Sequence, residues 1–467
     1  MKRGPFPIIV VPVLISLVFA TSGLAQQGPT ELNPRLKLDA LVIVAHSDDE
    51  TVISPYLARV TLDQKKTVGV VFIGSGAGGF NRISRERGHA LGLLRRMEAQ
   101  EGLVPFGIKH VWFVGERLDN GSSNPFVSLA SFGHGATLEK VVRLVRATRP
   151  DVLLAWLPAQ VIGENHGDHQ AAGVIAAEAF DMSADPTAFP VQVASFGAGT
   201  EGLAPWTPRK LYYFSDAFSL DFLKGTGPAF SVFDMSPTRK QTYLALAAAQ
   251  IGIYQTQFTD DLGELFGVDL KEVTAALGTS REAATLLKLT RGASPAWVEP
   301  TRLLRARSRV GGDRTEDVFD GLTRPLGRDS APGAVSQPAF EIGGPWAFSR
   351  HFAERHHLDQ IGGIAPELAV HPVVRTASIP LRFTNLSTES VTVRLTLETP
   401  LPSGWSEQQR AHSYHVGPGT TIEAVSVLLS PGNGTPPWIA AYRADVGGKL
   451  VGRAKIKLQV APWTLRQ

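Results

Sequence analysis

The sequence predicts a chain of two parts: an α/β domain with a Rossmann-like, mostly parallel sheet and helices on both faces, followed by an all-β sandwich. Two patterns support this. Up to about residue 258, short apolar runs alternate with segments that have apolar residues every three or four positions, as in a parallel sheet covered by helices. After residue 366, apolar and polar residues alternate with a period of two, as in half-buried antiparallel strands.

The apolar runs of the first part are the predicted strands. They lie at residues 40–45, 67–73, 110–114, 152–156 and 210–214. Between them, the helical pattern covers residues 87–103, 136–147 and 169–180. We expect this domain to span 36–258 and to be followed by an accessory helical segment and linker at 259–365. In that segment, the Arg-rich stretch 302–307 has no interleaved aromatic residues, so we interpret it as an exposed helix face rather than a nucleic-acid-binding patch.

The second part repeats the period-two pattern in several runs that are separated by turn signals. These runs lie at residues 379–383, 391–397, 421–429, 438–445 and 450–460. They predict a β-sandwich over 366–462. The short sequences FTN at 383–385 and PSGW at 402–405 resemble the small NPCBM-associated sandwich that is appended to some secreted glycosidases.

The N-terminus has the features of a secretory signal peptide over residues 1–25. A cationic start at Lys2 and Arg3 precedes an apolar run at 8–20, and residues 23–25 form a small-residue cleavage signal. The apolar run is short for a membrane span of about twenty residues, although an uncleaved N-terminal anchor is the alternative. We therefore expect a secreted or periplasmic protein with no stable membrane span after signal cleavage.

The composition excludes several kinds of site and partner. The 467 residues include no cysteine, which rules out disulfides, thiolate metal sites and Cys nucleophiles, so any metal must bind to His and carboxylate ligands. Lys and Arg total 46 against 43 Asp and Glu, a formal charge of +3, which gives no reason to expect a nucleic-acid partner. No pattern in the sequence indicates an oligomeric state.

Two clusters of metal-ligand residue types follow predicted strands. The first is the sequence HSDDE at residues 46–50, and the second is HGDH at 166–169. Both come after strands of the predicted sheet, at the edge where ligands bind in open α/β folds. Asp48 and Asp49 alone could be helix caps, and 166–169 alone could be a surface histidine pair. Together, the clusters favour a site for Zn²⁺ or, less selectively, Fe²⁺, Mn²⁺ or Co²⁺.

These clusters resemble the motifs AHPDDE and HPDH of the PIG-L/LmbE-like family of metal-dependent N-deacetylases. The resemblance covers about residues 38–258. It also includes a Gly-rich turn at 74–79, an Arg-x-x-Glu element at 95–98, Asp-x-Gly at 119–121 and the PWTPRKLYY element at 205–213. It therefore implies an N-deacetylase fold and a metal-dependent activity for this part of the chain.

The resemblance implies a metal site and a general base in the first motif and at the end of the second. The implied ligands, of zinc in particular, are His46, Asp49 and His169. Asp48 is the implied general base, because a carboxylate that is next to a ligand but is not one itself can accept a proton from water.

For the remaining matched positions, the resemblance implies roles at the substrate. His166 would polarise the amide oxygen or protonate the leaving amine, and Asp168 would be its orienting partner. Arg95 and Asp119 are candidates to bind substrate hydroxyls, although Arg95 could instead be an exposed helix residue.

The chain departs from the family pattern at three places. Ser47 and Gly167 replace the usual prolines, which changes the loops but removes no ligand. A late His-x-Ser-Gln element stands here as YQTQ at 254–257, which puts in question a substrate contact of that His. Glu and Asn occupy positions 164–165, where some relatives place a Tyr.

From these observations we predict a secreted, zinc-dependent amidohydrolase that removes an acyl group, acetyl above all, from an amino sugar such as an N-acetylglucosaminyl unit. Its partner would be an amino-sugar or glycan substrate. Two alternatives stay open: a hydrolase of a non-sugar N-acyl amide, and an inactive relative that binds glycans without cleaving them.

Overall fold

The structure is a computed structural model, and it describes most of the chain from residue 33 onward. The described residues are 33–115, 119, 121–163, 166–194, 201–217, 219–257, 300–327, 333–370, 374–409, 412–432 and 436–460. The predicted signal peptide, positions 164–165 and much of the predicted accessory segment lie outside them. Within the described residues, every helix is too short or too polar to cross a membrane.

A six-stranded sheet forms the centre of the first part. Its strands and a small neighbouring pair are, in chain order, β1 (Ala40–Val44), β2 (Val68–Phe72), β3 (His110–Phe113), β4 (Val152–Trp156), β5 (Lys210–Phe214), β6 (Ala229–Phe230), β7 (Thr301–Arg302) and β8 (Leu304–Ser308). The order in the large sheet is β3-β2-β1-β4-β5-β8, and β6 pairs with β7 separately. β1 to β5 are parallel and β8 is antiparallel to β5, which confirms the predicted Rossmann-like, mostly parallel sheet.

Helices cover both faces of this sheet. They are α1 (Ser54–Ala58), α2 (Gly88–Leu103), α3 (Pro125–Phe132), α4 (His134–Thr148), α5 (Gly167–Met182), α6 (Pro190–Val193), α7 (Tyr243–Ile251), α8 (Gly344–Arg355) and α9 (Asp359–Gly362). Every residue of β1, β2, β4 and β5 is buried, which requires cover on both faces. α1 packs against α7, and α3 and α4 pack against α5.

The strand β8 corrects our interpretation of the Arg-rich stretch 302–307 as an exposed helix face. It forms an edge of the central sheet, with Leu304 buried. The arginines of this strand are covered because they form ion pairs: Arg305 with Glu316 at 3.4 Å and Arg307 with Asp181 at 3.1 Å. Long Arg side chains can cover apolar surface while their charges stay paired, which the sequence pattern alone does not reveal. Residues of the predicted accessory segment therefore belong to the sheet of the first part.

The second part consists of two facing sheets, as expected for a β-sandwich. Its strands are β9 (Phe340–Ile342), β10 (Glu367–Val370), β11 (Thr376–Thr384), β12 (Val391–Leu397), β13 (Ser406–Gln409), β14 (Ser413–Val416), β15 (Thr421–Leu429), β16 (Trp438–Val446) and β17 (Lys449–Val460). One sheet has the order β10-β17-β16-β12-β14 and the other β13-β15-β11-β9. They enclose a separate apolar core, and β9 joins it from the predicted linker. α8 touches both cores, because Phe352 belongs to the first and Trp346 packs against the second.

Candidate metal centre

Both sequence motifs lie where the order of the strands reverses. From β1 the sheet continues through β2 to β3 in one direction and through β4 to β5 in the other. Residues 46–50 follow β1, and α5 begins inside the second motif, after β4. In open α/β sheets, the carboxyl ends of the strands at such a reversal form a crevice that binds ligands. The fold therefore brings the two predicted clusters to a single place.

Asp49 is held in position by the main chain and by Trp156. Its Oδ2 accepts hydrogen bonds from the N–H groups of Ala45 and His46, both at 2.8 Å, and from the Trp156 indole at 2.6 Å. Its other oxygen, Oδ1, lies 3.3 Å from His46 Nδ1 and 3.2 Å from His169 Nε2. Trp156 was not among the predicted site residues, and the signal that could have found it is an indole donor at the last position of a buried strand.

The two imidazole nitrogens complete a triangle with this oxygen. His46 Nδ1 and His169 Nε2 are 3.2 Å apart, so all three sides measure 3.2 or 3.3 Å. Three ligands at about 2.0–2.1 Å from a tetrahedral ion are roughly 3.3 Å from one another, so these atoms fit such an ion. Two imidazoles and one carboxylate also form a donor set that suits Zn²⁺ and other divalent transition metals. We call the three residues the ligand triangle.

Two other sets of possible ligand atoms overlap the ligand triangle. The ligand atoms of His46, Asp48 and Asp49 lie within 4.8 Å of one another, and so do those of His46, His166 and His169. We favour the ligand triangle as the binding set, because its sides of 3.2 or 3.3 Å match the spacing of ligands around a tetrahedral ion. Asp48 and His166 then lie at the edge of the same site and are available to contact a bound molecule.

The carboxylates draw positive charge into the site. Burial alone would lower the pKa of His46 and of His169, but the charge of Asp49 and hydrogen bonds to the carboxylates raise both, that of His46 well above its usual range. Burial alone would raise the pKa of Asp49, but the neighbouring histidines hold it well below its usual range. A field that keeps protons on two imidazoles also favours a divalent cation, which replaces those protons when it binds.

The carboxylate of Asp168 contacts His46, and the predicted pairing of this carboxylate with His166 stays a prediction. Its Oδ2 lies 3.3 Å from His46 Nε2 and accepts a hydrogen bond from the N–H of Gly121 at 3.1 Å. Burial would raise the pKa of Asp168, but the hydrogen bond to His46 and the charge of that ring lower it. A carboxylate in this place orients a metal-binding imidazole and fixes its tautomer. The family resemblance implied His166 as the partner of this carboxylate, whereas the fold brings His46 to it from another strand end.

His166 lies beside the ligand triangle as a neutral hydrogen-bond donor. Its ring centroid is 4.1 Å from that of His169 and 5.2 Å from that of His46. Its Nδ1 accepts a hydrogen bond from the main-chain N–H of Asp168 at 3.2 Å, so the proton of the neutral ring is on Nε2. Burial and the two neighbouring imidazoles hold the pKa of His166 well below its usual range. The side chain therefore offers an N–H group at the site.

Gly167 shows why one of the usual prolines is absent. Its N–H donates to the carbonyl oxygen of Ser122 at 2.6 Å, which a proline could not do. A Cβ at this position would lie 2.6 Å from the same oxygen and 2.7 Å from the main chain of Asn124. The start of α5 therefore needs a glycine because the loop before α3 packs directly against it.

Asp48 lies next to the ligand triangle and has a raised pKa. Burial and the charge of Asp49 raise the pKa of its carboxyl group, and these effects outweigh Arg95 and the two histidines of the triangle, which lower it. A carboxylate whose pKa is closer to neutral is a better acceptor for the proton of an attacking water molecule. Position and proton affinity are thus both appropriate for a general base.

Arg95 and Asp119 hold the Gly-rich turn at 74–79. Arg95 is buried and donates to the carbonyl oxygen of Gly76 at 3.1 Å, so the alternative of an exposed helix residue is wrong. Asp119 accepts a hydrogen bond from the N–H of Ser75 at 2.9 Å. Gly76 has a φ of +73°, a left-handed conformation that favours glycine. Both predicted substrate-binding residues therefore border the site, and their contact with substrate hydroxyls stays a prediction.

A buried network behind the first motif accounts for Tyr254. Glu50 is fully buried, and its Oε1 accepts hydrogen bonds from the Tyr254 hydroxyl and, at 3.1 Å, from Gln250 Nε2. Burial raises the pKa of Glu50 to about 8, although the hydrogen bond from Tyr254 opposes this. Nearby, Gln257 Nε2 lies 3.4 Å from the carbonyl oxygen of Ser47, to which it donates. Tyr254, which replaces the family His, thus supports the first motif from the protein interior.

The fold and the site together define an α/β protein with a His/carboxylate candidate metal centre at the reversal point of its sheet. Residues 41–180 match the family described as PIG-L: GlcNAc-PI de-N-acetylase. The matched segment includes both motifs, β1 from its second residue and all of β2 to β4. No curated protein matches the chain in sequence. The NPCBM-type resemblance of the sandwich stays a prediction.

Several solved structures are similar to somewhat more than half of the chain. N,N'-diacetylchitobiose deacetylase from Pyrococcus horikoshii is 18% identical over 59% of this chain and 86% of that protein, with a TM-score of 0.39. The conserved protein TT1542 from Thermus thermophilus is 18% identical over 59% and 97%, with a TM-score of 0.35. GalB, the 4-carboxy-2-hydroxymuconate hydratase from Pseudomonas putida, is 18% identical over 58% and 98%, with a TM-score of 0.33. These similarities are too distant to bear on the activity of this chain.

Proposed function

We propose that this protein is a metal-dependent amidohydrolase that removes the N-acetyl group from an amino sugar such as an N-acetylglucosaminyl unit. The observation that carries the proposal is the ligand triangle of His46, Asp49 and His169, with Asp48 beside it, inside a PIG-L domain. Zn²⁺ is the proposed ion, and Fe²⁺, Mn²⁺ or Co²⁺ would suit the same donors.

The bound ion would act as a Lewis acid toward the amide carbonyl and would lower the pKa of water at the site to about 7. Asp48 accepts a proton from the attacking water, whose oxygen forms a bond to the carbonyl carbon of the acetamide. The bond between that carbon and the sugar nitrogen then breaks, and the nitrogen takes up the proton that Asp48 accepted, which restores the carboxylate. The products are acetic acid and the free amine, and transfer of the acid's proton to the amine gives acetate and the ammonium form of the sugar, so atoms and charge balance without a further reactant.

His166 and Asp168 have separate tasks in this scheme. The Nε2–H of His166 donates to the oxygen of the reacting amide, on which negative charge develops, because the neutral ring has its proton on that atom. Asp168 orients His46 through the contact between Oδ2 and Nε2. We therefore assign Asp168 to the ion-binding side of the site rather than to His166.

Arg95 and Asp119 are proposed to act on the sugar. Both side chains hold the main chain of the Gly-rich turn, which places polar groups at the border of the site. We propose that hydroxyl groups of the substrate bind along this border.

The proposal is tested by acetate release. Purified protein is incubated with N-acetylglucosamine, its oligomers and a panel of N-acetylated amino acids, with and without a chelator, and acetate is measured. Chelator-sensitive release from the sugars supports the proposal, and release only from the amino acids assigns the protein to non-sugar amides. Glycan binding without product from any of these substrates would identify an inactive relative and contradict the proposal.

We also propose that residues 1–25 are a cleaved signal peptide and that the protein acts outside the cytoplasm. The cationic start, the apolar run and the small-residue site support this. N-terminal sequencing of the protein from cells fractionated into cytoplasm and exterior tests it. An N-terminus at Gln26 in the exported fraction is expected, and an intact N-terminus in the cytoplasm would contradict it.

A further inference from the structure

The loop that joins the Gly-rich turn to α2 presents apolar side chains to solvent. We call residues 80–87 the rim loop. Phe80 is 62% exposed and Ile83 is 55% exposed. Among the described residues, Phe80 and Phe126 are the exposed Phe, Tyr or Trp side chains. Phe126 packs on Phe348 at a ring distance of 4.7 Å, whereas the Phe80 ring has the guanidinium of Arg87, from the same loop, 5.4 Å from its centre. Apolar side chains that protrude together from one loop commonly mark a surface that meets a membrane or a partner.

The rim loop is also basic. Arg82, Arg85 and Arg87 are exposed and stand against a single acid, Glu86, so the loop has a formal charge of +3 − 1 = +2. The Glu86 carboxylate accepts hydrogen bonds inside the loop, from Asn81 Nδ2 at 2.9 Å and from a serine hydroxyl. A chain of 467 residues with a net charge of only +3 thus concentrates positive charge beside its protruding apolar groups.

The rim loop is held in a defined conformation by Asn81, which is buried. Its Oδ1 accepts hydrogen bonds from the N–H groups of Ile83 at 3.0 Å and Ser84 at 3.1 Å. The N–H of Arg82 donates to the carbonyl oxygen of Thr256 at 3.1 Å, which ties the loop to the interior. The exposed side chains therefore project from a backbone that is fixed at both its turn and its base.

The rim loop borders the candidate metal centre. The carbonyl oxygen of Phe80 accepts a hydrogen bond from Arg95 at 3.3 Å, and the same guanidinium holds Gly76 in the Gly-rich turn. Arg95 in turn acts electrostatically on Asp48, the proposed base. A surface that binds at the rim loop therefore comes close to the entrance of the site.

We propose that the rim loop binds anionic phospholipid surfaces. Phe80 and Ile83 insert between the headgroups, while the three arginines contact the phosphates. Exposed apolar residues combined with Arg residues on one small surface are the pattern of interfacial membrane binding, in which apolar burial and attraction to anionic lipid add together. A soluble polyanion would need the arginines but not the protruding phenylalanine and isoleucine. The proposal goes beyond the proposed function, because it requires neither a metal ion nor turnover.

The test is co-sedimentation of the protein, from Gln26 onward, with vesicles of phosphatidylcholine with and without phosphatidylglycerol. Wild type is expected to pellet with the phosphatidylglycerol vesicles and less so as salt is raised. Arg85→Glu should weaken this binding by about fivefold or more. The double substitution Phe80→Ser and Ile83→Ser should weaken it by about tenfold or more. Ile439→Ser is the matched control, because Ile439 is 53% exposed on the sandwich, and it should bind like wild type.

Each outcome decides for or against the proposal. Failure of wild type to bind the anionic vesicles would overturn it. Wild-type binding by the double variant, together with weak binding by Arg85→Glu, would identify a polyanion patch and would also overturn it. Thermal unfolding at the wild-type temperature shows that the variants are folded, which we expect because the replaced side chains are exposed. Acetate release from soluble substrates is measured in parallel, so failure of the proposed function is recognised separately.

Discussion

The α/β domain and the sandwich bury different kinds of polar group. The α/β domain buries ionisable side chains, among them Asp49, Glu50, Asp168 and His169 around the site. In the described residues of the sandwich from 366 onward, the buried polar side chains are neutral: Thr384, Asn385, Ser426 and Ser430. Asn385, for example, donates to the carbonyl oxygens of Val416 and Gly417, both at 3.0 Å, and thereby fixes a turn.

This difference indicates where chemistry is expected. Burying a charge costs several kcal/mol unless it is paired, so buried ionisable groups persist where they serve a site or an anchor. Arg146 is an anchor, because it is fully buried and donates to main-chain carbonyls such as those of Asp185 and Ala188. The site cluster differs in that its ionisable atoms face one another. The sandwich, without buried charge among its described residues, is expected to contribute stability rather than catalysis.

The largest effect is expected from Asp48→Asn. The amide cannot accept the proton of the attacking water, so kcat should fall by about 10²- to 10⁴-fold while bound metal is retained. The measurement is acetate release together with metal analysis of the same sample. Asp221→Asn is the control, because this carboxylate is 75% exposed and pairs with Lys224 rather than with a residue of the ligand triangle, and it should be fully active. Wild-type turnover by Asp48→Asn would show that the general base is another group.

The second-largest expected effect is on the free energy of unfolding, and it separates the role of the sandwich from that of the α/β domain. Leu395 is fully buried in the core of the sandwich, so Leu395→Ala should lower the free energy of unfolding by about 2–5 kcal/mol. Below the unfolding transition, kcat of the folded variant should equal that of wild type. Leu450→Ala, at a position that is 42% exposed, should cost far less and serves as the control. A large fall in kcat in folded Leu395→Ala would mean that the sandwich takes part in catalysis.

A smaller effect tests the proposed role of Asp168 beside His46. Because its carboxylate orients His46, Asp168→Asn should weaken metal binding by about 10- to 100-fold. Titration with a competing chelator measures this affinity. Unchanged metal affinity combined with a lower kcat would instead favour the originally predicted pairing with His166.

The smallest effect concerns an ion cluster outside the site. Burial alone would raise the pKa of Asp181. The hydrogen bond from His356 and the charges of Arg307 and Arg309 outweigh this effect, so the pKa is lowered overall. A carboxylate with a lowered pKa stabilises the fold above its unfolded pKa of about 4, and this stability is lost as pH falls through the folded pKa. Asp181→Asn should therefore cost about 1 kcal/mol at pH 7, where the partly exposed cluster is screened by solvent. The difference from wild type should vanish in acid, and a difference that persists there would exclude this origin.

Patterns with a clear period predicted their elements well. β4, β5, β12 and β15 have the bounds that the sequence predicts, because each is an apolar or strictly alternating run between turn residues. β8 was missed because its arginines are covered through ion pairs, which depend on partners elsewhere in the chain. The short polar strands β13 and β14 were missed because they have too few apolar residues to show a period.

The candidate site was predicted only in part, because the sequence shows local motifs but not contacts between distant positions. The two clusters that contain His46, Asp49 and His169 could be found because they are compact motifs at strand ends, and the family resemblance implied these three residues as ligands. The hydrogen bond from Trp156 to Asp49 and the contact of Asp168 with His46 join residues that are more than one hundred positions apart, so no local pattern contains them. Arg95 was ambiguous on its helix because burial, not spacing, decides its environment.

We expect the ligand triangle to bind a divalent metal ion. Metal analysis of purified wild type and of Asp49→Asn tests this expectation most directly. Asparagine keeps the shape of the side chain but removes its charge, and circular dichroism verifies that the variant is folded. We predict stoichiometric metal in wild type, zinc above all, and its loss from Asp49→Asn. Metal-free wild type, or equal metal content in folded Asp49→Asn, would contradict the account.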